Sequence, residues 1–388
     1  MIYFIFISFF SIFVFFHNCT KENKENINLY YLFVFVVALV LGLRGNEDEY
    51  TRLFLIISPL DEFFTKEIFF HEKGFLFVFI VSIFKTLSLN SQSIFLVCSF
   101  TGVLLHAYFF RKYTKYYFLA FLLYLSHEIC FKEWNGLRMG VASALLLPMI
   151  YYLEQGKKIN FFILLVVATL IQYVAILSLF LLFMNKRLDP KLLWGGLIFA
   201  IFFMQTHLLY NFIWFIDGKD LLPSIVSSYL SAEVYVYNAS IFHLKTIQQL
   251  LVISVLIILF GYKKNLVSGY YTLLFNAYYL GTIFLILFSD LSLFAFRFNG
   301  HFYSVEPILI TYVIMSFKQK KLVSNSIALF ALVVAFMNYV YLERIDQYDF
   351  LVNTDYYLAE QINNDSRSAW ELCRATKYRF ENCNWPTP

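Results

Sequence analysis

Apolar stretches of about 15 to 26 residues, near the length that carries a helix across hydrocarbon, follow one another along almost the whole chain. The windows 27–43, 74–89, 91–110, 137–153, 159–184, 191–215, 245–260, 269–289, 302–316 and 322–342 all approach or exceed that length. With 2–16 and 117–131 added, about twelve segments compete for the membrane. Backbone groups in lipid must be satisfied within the segment itself, so these stretches fold as helices. A chain of 388 residues with 60% hydrophobic and 14% charged content is excluded from the soluble globular class, where roughly a quarter of residues carry charge. The stretch 2–16 lacks a basic leader and a small-residue cleavage site, and another apolar segment follows at once, so it reads as a membrane helix. The expected fold is all-α: a polytopic integral membrane protein of about 11–13 transmembrane or re-entrant helices. One transmembrane domain is expected over 1–342, with outward loops at 44–73, 217–242 and 290–301 and a polar outward tail at 343–388.

Basic loops orient such a chain. Gly156-Lys157-Lys158, Asn185-Lys186-Arg187, Tyr262-Lys263-Lys264 and Lys318-Gln319-Lys320-Lys321 are expected on the cytoplasmic side. Window 159–184 lies between two of them and is too short for two full crossings, so a broken, re-entrant pair bending near Gln172-Tyr173 is expected, lining a cavity. The N-terminal half has an odd count. If 44–73 and Arg138 share a side, three apolar segments separate them, so one must lie in the interface or re-enter. The basic loop Arg111-Lys112-Tyr113-Thr114-Lys115 puts the exception before it. Cys19, Cys98 and Cys130 read as packing residues. Cys373 and Cys383, in the outward tail, suit a disulfide that staples a small cap. No nucleotide-binding motif and no metal-ligand spacing is present, so the energy for any reaction arrives in the substrate. A net charge of +4 spread over many loops carries no nucleic-acid signal.

Three constellations carry candidate chemistry. Arg44-Gly45-Asn46-Glu47-Asp48-Glu49-Tyr50 crowds an arginine and three carboxylates against the end of an apolar segment. They suit a general base or an anchor for the arginine, or else a solvated loop of no special role. The acidic loop continues through Asp61, Glu62, Glu67, His71 and Glu72, and its apolar stretch 53–60 suits a helix lying in the interface. Asn135-Gly136-Leu137-Arg138-Met139-Gly140-Val141-Ala142 opens a helix. There a guanidinium and the free first-turn N–H groups add to one positive field, suited to a phosphate or pyrophosphate. The alternative is a snorkelling arginine. Arg297-Phe298-Asn299-Gly300-His301-Phe302-Tyr303 repeats the logic before another helix, so two arginines could clamp one diphosphate. His106, His127 and His207 read as hydrogen-bonded helix residues, and His243 as a candidate substrate contact after the loop 217–242.

Arg44-Gly45-x-Glu47-x-x-Tyr50, then Glu72-x-Gly74-Phe75, then Leu137-Arg138-x-Gly140-x-Ala142 resemble, in order and spacing, the EpsG/Wzy group of polysaccharide polymerases, themselves similar to the GT-C class of membrane glycosyltransferases. The resemblance covers roughly 41–179. Its acid position falls on Glu47, with Asp48 beside it. Met139 stands where the family has glutamine, and the family's histidine in a broken helix falls on Gln172, which cannot shuttle a proton. The resemblance implies a polymerase in the bacterial inner membrane with its active site facing the periplasm. Its partners would be membrane lipid and two lipid-linked oligosaccharides: an undecaprenyl-pyrophosphate-linked donor and a repeat-unit acceptor. A chain-length regulator protein is admitted, and no cofactor or metal is implied. Arg138, helped by Arg44 or Arg297, would stabilise the departing pyrophosphate, and Glu47 or Asp48 would take the acceptor proton. Tyr50, Gln172, His243, His301 and Tyr303 would contact substrate. An O-antigen ligase or other GT-C transferase, and a lipid-linked glycan flippase, stay open as alternatives.

Overall fold

The computed structural model of the protein describes residues 10, 27–43, 54, 57, 59–60, 74–128, 136–217, 219, 244–262, 269–315, 317 and 319–344. They form thirteen α-helices and one 3-10 helix, and no strand occurs among the described residues. The protein is an all-helical membrane protein, as its apolar pattern requires. Ser91–Tyr113 and Leu137–Glu154 are each long and apolar enough to cross a membrane. The pair Pro190–Gln205 and Leu208–Asp217, bent by 56°, adds a third if counted as one broken span. Most other elements are shorter apolar helices of 10–17 residues.

Helix α1 (Ile27–Gly42) lies antiparallel to α3 (Ser91–Tyr113). At one end the Tyr30 hydroxyl donates to the Ala107 carbonyl at 2.9 Å and Arg111 donates to the Tyr31 hydroxyl at 3.2 Å. At the other end the Gln92 amide donates to the Gly42 carbonyl. A Cβ on Gly42 would stand 2.9 Å from Leu96 Cα, so glycine is what lets the two backbones close there. Helix α3 starts where it does because Asn90 caps it, accepting from the Ser93 amide at 3.3 Å and the Ser93 hydroxyl at 3.0 Å.

Between them, α2 (Phe75–Thr86) has 12 residues, about 18 Å of helix and too short to cross. It stays at the Gly42 end. Lys85 Nζ donates to the Phe54 and Ile57 carbonyls at 3.2 and 2.7 Å, and the Leu60 amide donates to Thr86 Oγ1 at 2.8 Å. Phe77, Val78 and Val81 pack into one cluster with Ile94 and Phe95 of α3, and with Leu137, Val141 and Ile171. This is the non-crossing segment that the odd count demanded. It precedes the basic loop at Arg111, where the exception was expected. Consequently Gly42, the last helical residue before the Arg44–Tyr50 segment, and Leu137, the first after it in the second motif, lie at the same end of the bundle.

From Tyr113, α4 (Tyr117–His127) sets out back toward that end, and α5 (Leu137–Glu154) returns. Gly156, at φ +73, makes the turn into α6 (Lys158–Ile171), a left-handed conformation that glycine adopts at little cost. Helix α6 breaks at Gln172 and gives way to the 3-10 helix Tyr173–Leu182. Both ends of this pair lie at the same end of the bundle. Glu154 lies beside Gly269, Tyr271 donates to the Tyr113 carbonyl at 2.5 Å, and Asn276 donates to the Lys186 carbonyl at 2.9 Å. The segment is therefore re-entrant, with its break at the residue the sequence marked.

Asp189 accepts from the Lys191 amide at 2.7 Å and Pro190 takes the first turn, which together open α7 (Pro190–Gln205). His207 does not extend that helix, contrary to its expected place. It sits at φ +50 in the bend before α8 (Leu208–Asp217), its Nδ1 2.9 Å from Asp290 Oδ2. The polar Asp290 partner outside the helix competes with helix continuation at this point. Helices α9 (Leu244–Tyr262), α10 (Gly269–Leu287), α11 (Ser292–Tyr303), α12 (Glu306–Met315) and α13 (Lys320–Arg344) complete the bundle. The segment 290–301, expected as an outward loop, is largely the helix α11, and a turn at Ser304-Val305 separates it from α12. Asn299 and His301 are accommodated in a helix because Gln249 and Ser178 on neighbouring elements offer them partners. Exposed apolar side chains such as Ile163 and Val166 on α6 and Ile198, Phe199 and Phe202 on α7 give the bundle a surface suited to lipid.

Candidate functional site

The first-turn amides of α5 have no side-chain cap, because Gly136 stands at the N-cap. Arg138 follows in that first turn, 7% exposed, its guanidinium carbon 5.8 Å from the centre of the Phe77 ring. Leu137 and Val141 anchor the helix start in the cluster with Phe77, so the arginine is held by apolar packing on both sides. A cation, first-turn amides without a side-chain cap and the positive end of the helix dipole thus coincide.

The start of α2 reaches the same place. Gly74, at φ +89, presses its backbone onto the end of α6: a Cβ there would run into the Ile171 carbonyl and stand 2.9 Å from that of Leu170. The next residue of that chain is Gln172, extended at φ −146 and ψ 112 and 8% exposed. Its amide donates to the Ala168 carbonyl at 2.8 Å, and its own carbonyl accepts from Ala175 at 2.9 Å. Gly74-Phe75, Leu137-Arg138 and Ile171-Gln172, far apart in sequence, are therefore neighbours. The end of α1, which leads into Arg44, lies at this same end.

Helix α11 adds the next layer. Arg297, His301 and Ser304 recur at i, i+4 and i+7, on one face. That face meets α5 and the 3-10 helix: His301 Nε2 lies 2.7 Å from Ser178 Oγ, and Ser304 Oγ donates to the Ser143 carbonyl at 3.2 Å. Both α5 and α11 run away from the Arg138 end, and they pack together. Arg138 rises about 7.5 Å above Ser143, and Arg297 about 10 Å above Ser304, at 1.5 Å per residue. The two arginines therefore stand at nearly one level on adjoining helices.

The opposite face of α11 builds a separate polar group. Tyr303 donates to Glu306 Oε1 at 2.9 Å and Tyr278 to Glu306 Oε2 at 2.6 Å. Gln248 donates to the Tyr303 hydroxyl at 3.3 Å, and Gln249 to Asn299 Oδ1 at 3.1 Å. Buried Glu128 at the end of α4 lies within electrostatic reach of both phenols. Tyr278 is the central residue of the 19-residue α10, so this group sits at mid-depth.

Of the expected site residues, the structure brings Arg138, Gln172, Arg297 and His301 to one region. Tyr303 belongs to the other face and is engaged by Glu306. His301 and Tyr303 lie in the last turn of α11, just ahead of α12 as expected, rather than in a loop. Arg44, Glu47, Asp48, Tyr50, His243 and the tail cysteines fall outside the described residues. No group of three or more His, Cys, Asp or Glu able to hold a metal occurs among the described residues. Sequence reasoning passed over Glu128, Glu306 and Tyr278. The signal was available for both acids: each is a carboxylate inside an apolar window, where ionisable groups are functional by default. Glu306 also precedes Pro307 at a helix start.

Amylovoran biosynthesis protein AmsC of Erwinia amylovora is 23% identical over 343 residues, covering 83% of this chain and 88% of that protein. No solved structure matches. The model of the EpsG family matches residues 27–353, a stretch that contains every element from α1 to α13 and all three motifs. The chain belongs to the EpsG family.

Proposed function

We propose that this protein acts in polysaccharide biosynthesis as a membrane glycosyltransferase that joins lipid-linked oligosaccharide repeat units into a chain. The supporting observation is the convergence of Gly74, Arg138 and the Gln172 break at the end of the bundle from which the Arg44–Tyr50 segment departs. Family membership and the likeness to a protein named for amylovoran biosynthesis support the same reading.

In this reading the donor is a glycan on undecaprenyl pyrophosphate. An acceptor hydroxyl attacks the anomeric carbon, the bond from that carbon to the pyrophosphate oxygen breaks, and the acceptor proton passes to a carboxylate. Arg138, the uncapped α5 amides and Arg297 at the same level receive the charge that develops on the leaving pyrophosphate. Glu47 or Asp48 is the proton acceptor, brought by a segment leaving the same end. The Arg138 end faces the periplasm of a bacterial inner membrane, because the opposite end carries the basic turns at Lys157-Lys158 and Lys186-Arg187.

Deletion of the gene, followed by electrophoresis of the surface glycan, tests this. A product limited to single repeat units supports the polymerase. Complete loss of the glycan points to a ligase or flippase, and an unchanged ladder overturns the proposal.

A further inference from the structure

Between α9 and α11, on the side of α11 turned away from Arg138, two amides meet in the interior. Gln249 is 0% exposed and Asn299 1%. Gln249 Nε2 donates to Asn299 Oδ1 at 3.1 Å. Gln249 Oε1 and Asn299 Nδ2, both buried, have no hydrogen-bond partner among the described residues. If both are turned over, the bond runs from Asn299 to Gln249, and one amide nitrogen and one oxygen are again left over. Leaving a buried donor and a buried acceptor unmade costs about 1–3 kcal/mol each, so native interiors rarely do it.

The surroundings are built for the pair. A Cβ on Gly281 would stand 2.7 Å from Phe302 Cβ and 3.3 Å from Asn299 Oδ1, so glycine at that position of α10 lets α11 approach closely where Asn299 sits. One residue along α9, Gln248 donates to Tyr303. One turn along α11, Tyr303 donates to Glu306. The amide pair therefore opens a polar row that ends on a buried carboxylate.

We propose that Gln249 and Asn299 hold a hydroxyl group, which accepts from the free amide N–H and donates to the free amide oxygen. A hydroxyl supplies one acceptor and one donor on the same atom, which is what the pair lacks. Two sources offer it: an ordered interior water, or a sugar hydroxyl of the glycan substrate. The site stands on the amide geometry and survives even if the polymerase reading fails.

A high-resolution electron-microscopy map of the full chain in lipid nanodiscs tests it, recorded with and without lipid-linked oligosaccharide extracted from the producing cells. Density within about 2.7–3.2 Å of both leftover amide atoms is expected. The same isolated peak in both maps identifies water. A peak that becomes continuous with sugar density in the second map identifies the substrate hydroxyl. Absence of density in both maps overturns the proposal. The double variant Gln249→Leu/Asn299→Leu separates the sources functionally. With water, transfer stays within about twofold of the parent; with a sugar hydroxyl, transfer falls by about tenfold or more, the loss expected for one buried polar contact to substrate.

Discussion

The Arg138 end and the Glu306 centre are both buried and polar, yet they are built in opposite ways. At Arg138, partners come from helix ends: an uncapped first turn on α5, a left-handed glycine ahead of α2, and an extended break after α6. Charge there is held next to first-turn amides that no side chain caps. At Glu306, the carboxylate is engaged by two tyrosine hydroxyls from the middles and ends of packed helices, and its demand is met inside the protein. The contrast teaches that helix ends supply readiness to bind, while helix middles supply internal satisfaction. A variant at the first should therefore harm chemistry more than folding, and one at the second should do the reverse.

The largest effect tests the first half of that statement. Arg138→Ala should lower transfer by about 10²–10³-fold, the loss typical of one group removed from a developing anion, while the melting temperature in detergent barely moves. Arg138→Lys should recover part of the rate but not the fork geometry. An unchanged polymer ladder for Arg138→Ala would remove the arginine from the mechanism.

Glu306→Leu should do the opposite. It strands the Tyr278 and Tyr303 hydroxyls in the interior, at about 1–3 kcal/mol for each unsatisfied group, read as a lower thermal midpoint and reduced yield. If Glu306→Leu instead keeps its midpoint and loses only activity, the division between binding end and structural centre is broken.

Gly74→Ala sits between the two regions and sharpens the boundary. A Cβ there meets the Ile171 carbonyl, and φ +89 is unfavourable for alanine. A cost of about 1–3 kcal/mol follows from the strained backbone, and α2 must shift off the end of α6. Activity should fall together with stability, unlike either of the preceding variants. Tyr278→Phe is the mildest, removing one hydrogen bond of about 1 kcal/mol, with transfer kept within a few-fold in a membrane assay.

Much of this architecture was legible in the chain. The break at Gln172 followed from a 26-residue window between two basic turns, since no helix of that length begins and ends on one side. The odd count before Arg138 demanded a non-crossing segment, and only its identity, α2, was missing. That identity depends on Lys85 reaching the Phe54 and Ile57 carbonyls, a contact between residues 28 and 31 positions apart that no local pattern records. The loop expected at 290–301 was misread for a related reason. Arg297, Asn299 and His301 look like residues avoiding lipid, and it takes Gln249 and Ser178 on other segments to let Asn299 and His301 sit in a buried helix.

By itself, the amino-acid order determined that the chain is helical and lives in lipid, which turns lie on one side, and where three charged motifs begin. Those are properties of hydropathy, charge and spacing, all local. Only the tertiary structure decided that Gly74, Arg138 and Gln172 are neighbours, that Arg297 shares a level with Arg138, and that Tyr303 turns away from them to Glu306. Those outcomes depend on which helix packs against which, and even the local Tyr303–Glu306 bond is joined by Tyr278 and Gln248 from segments tens of residues away.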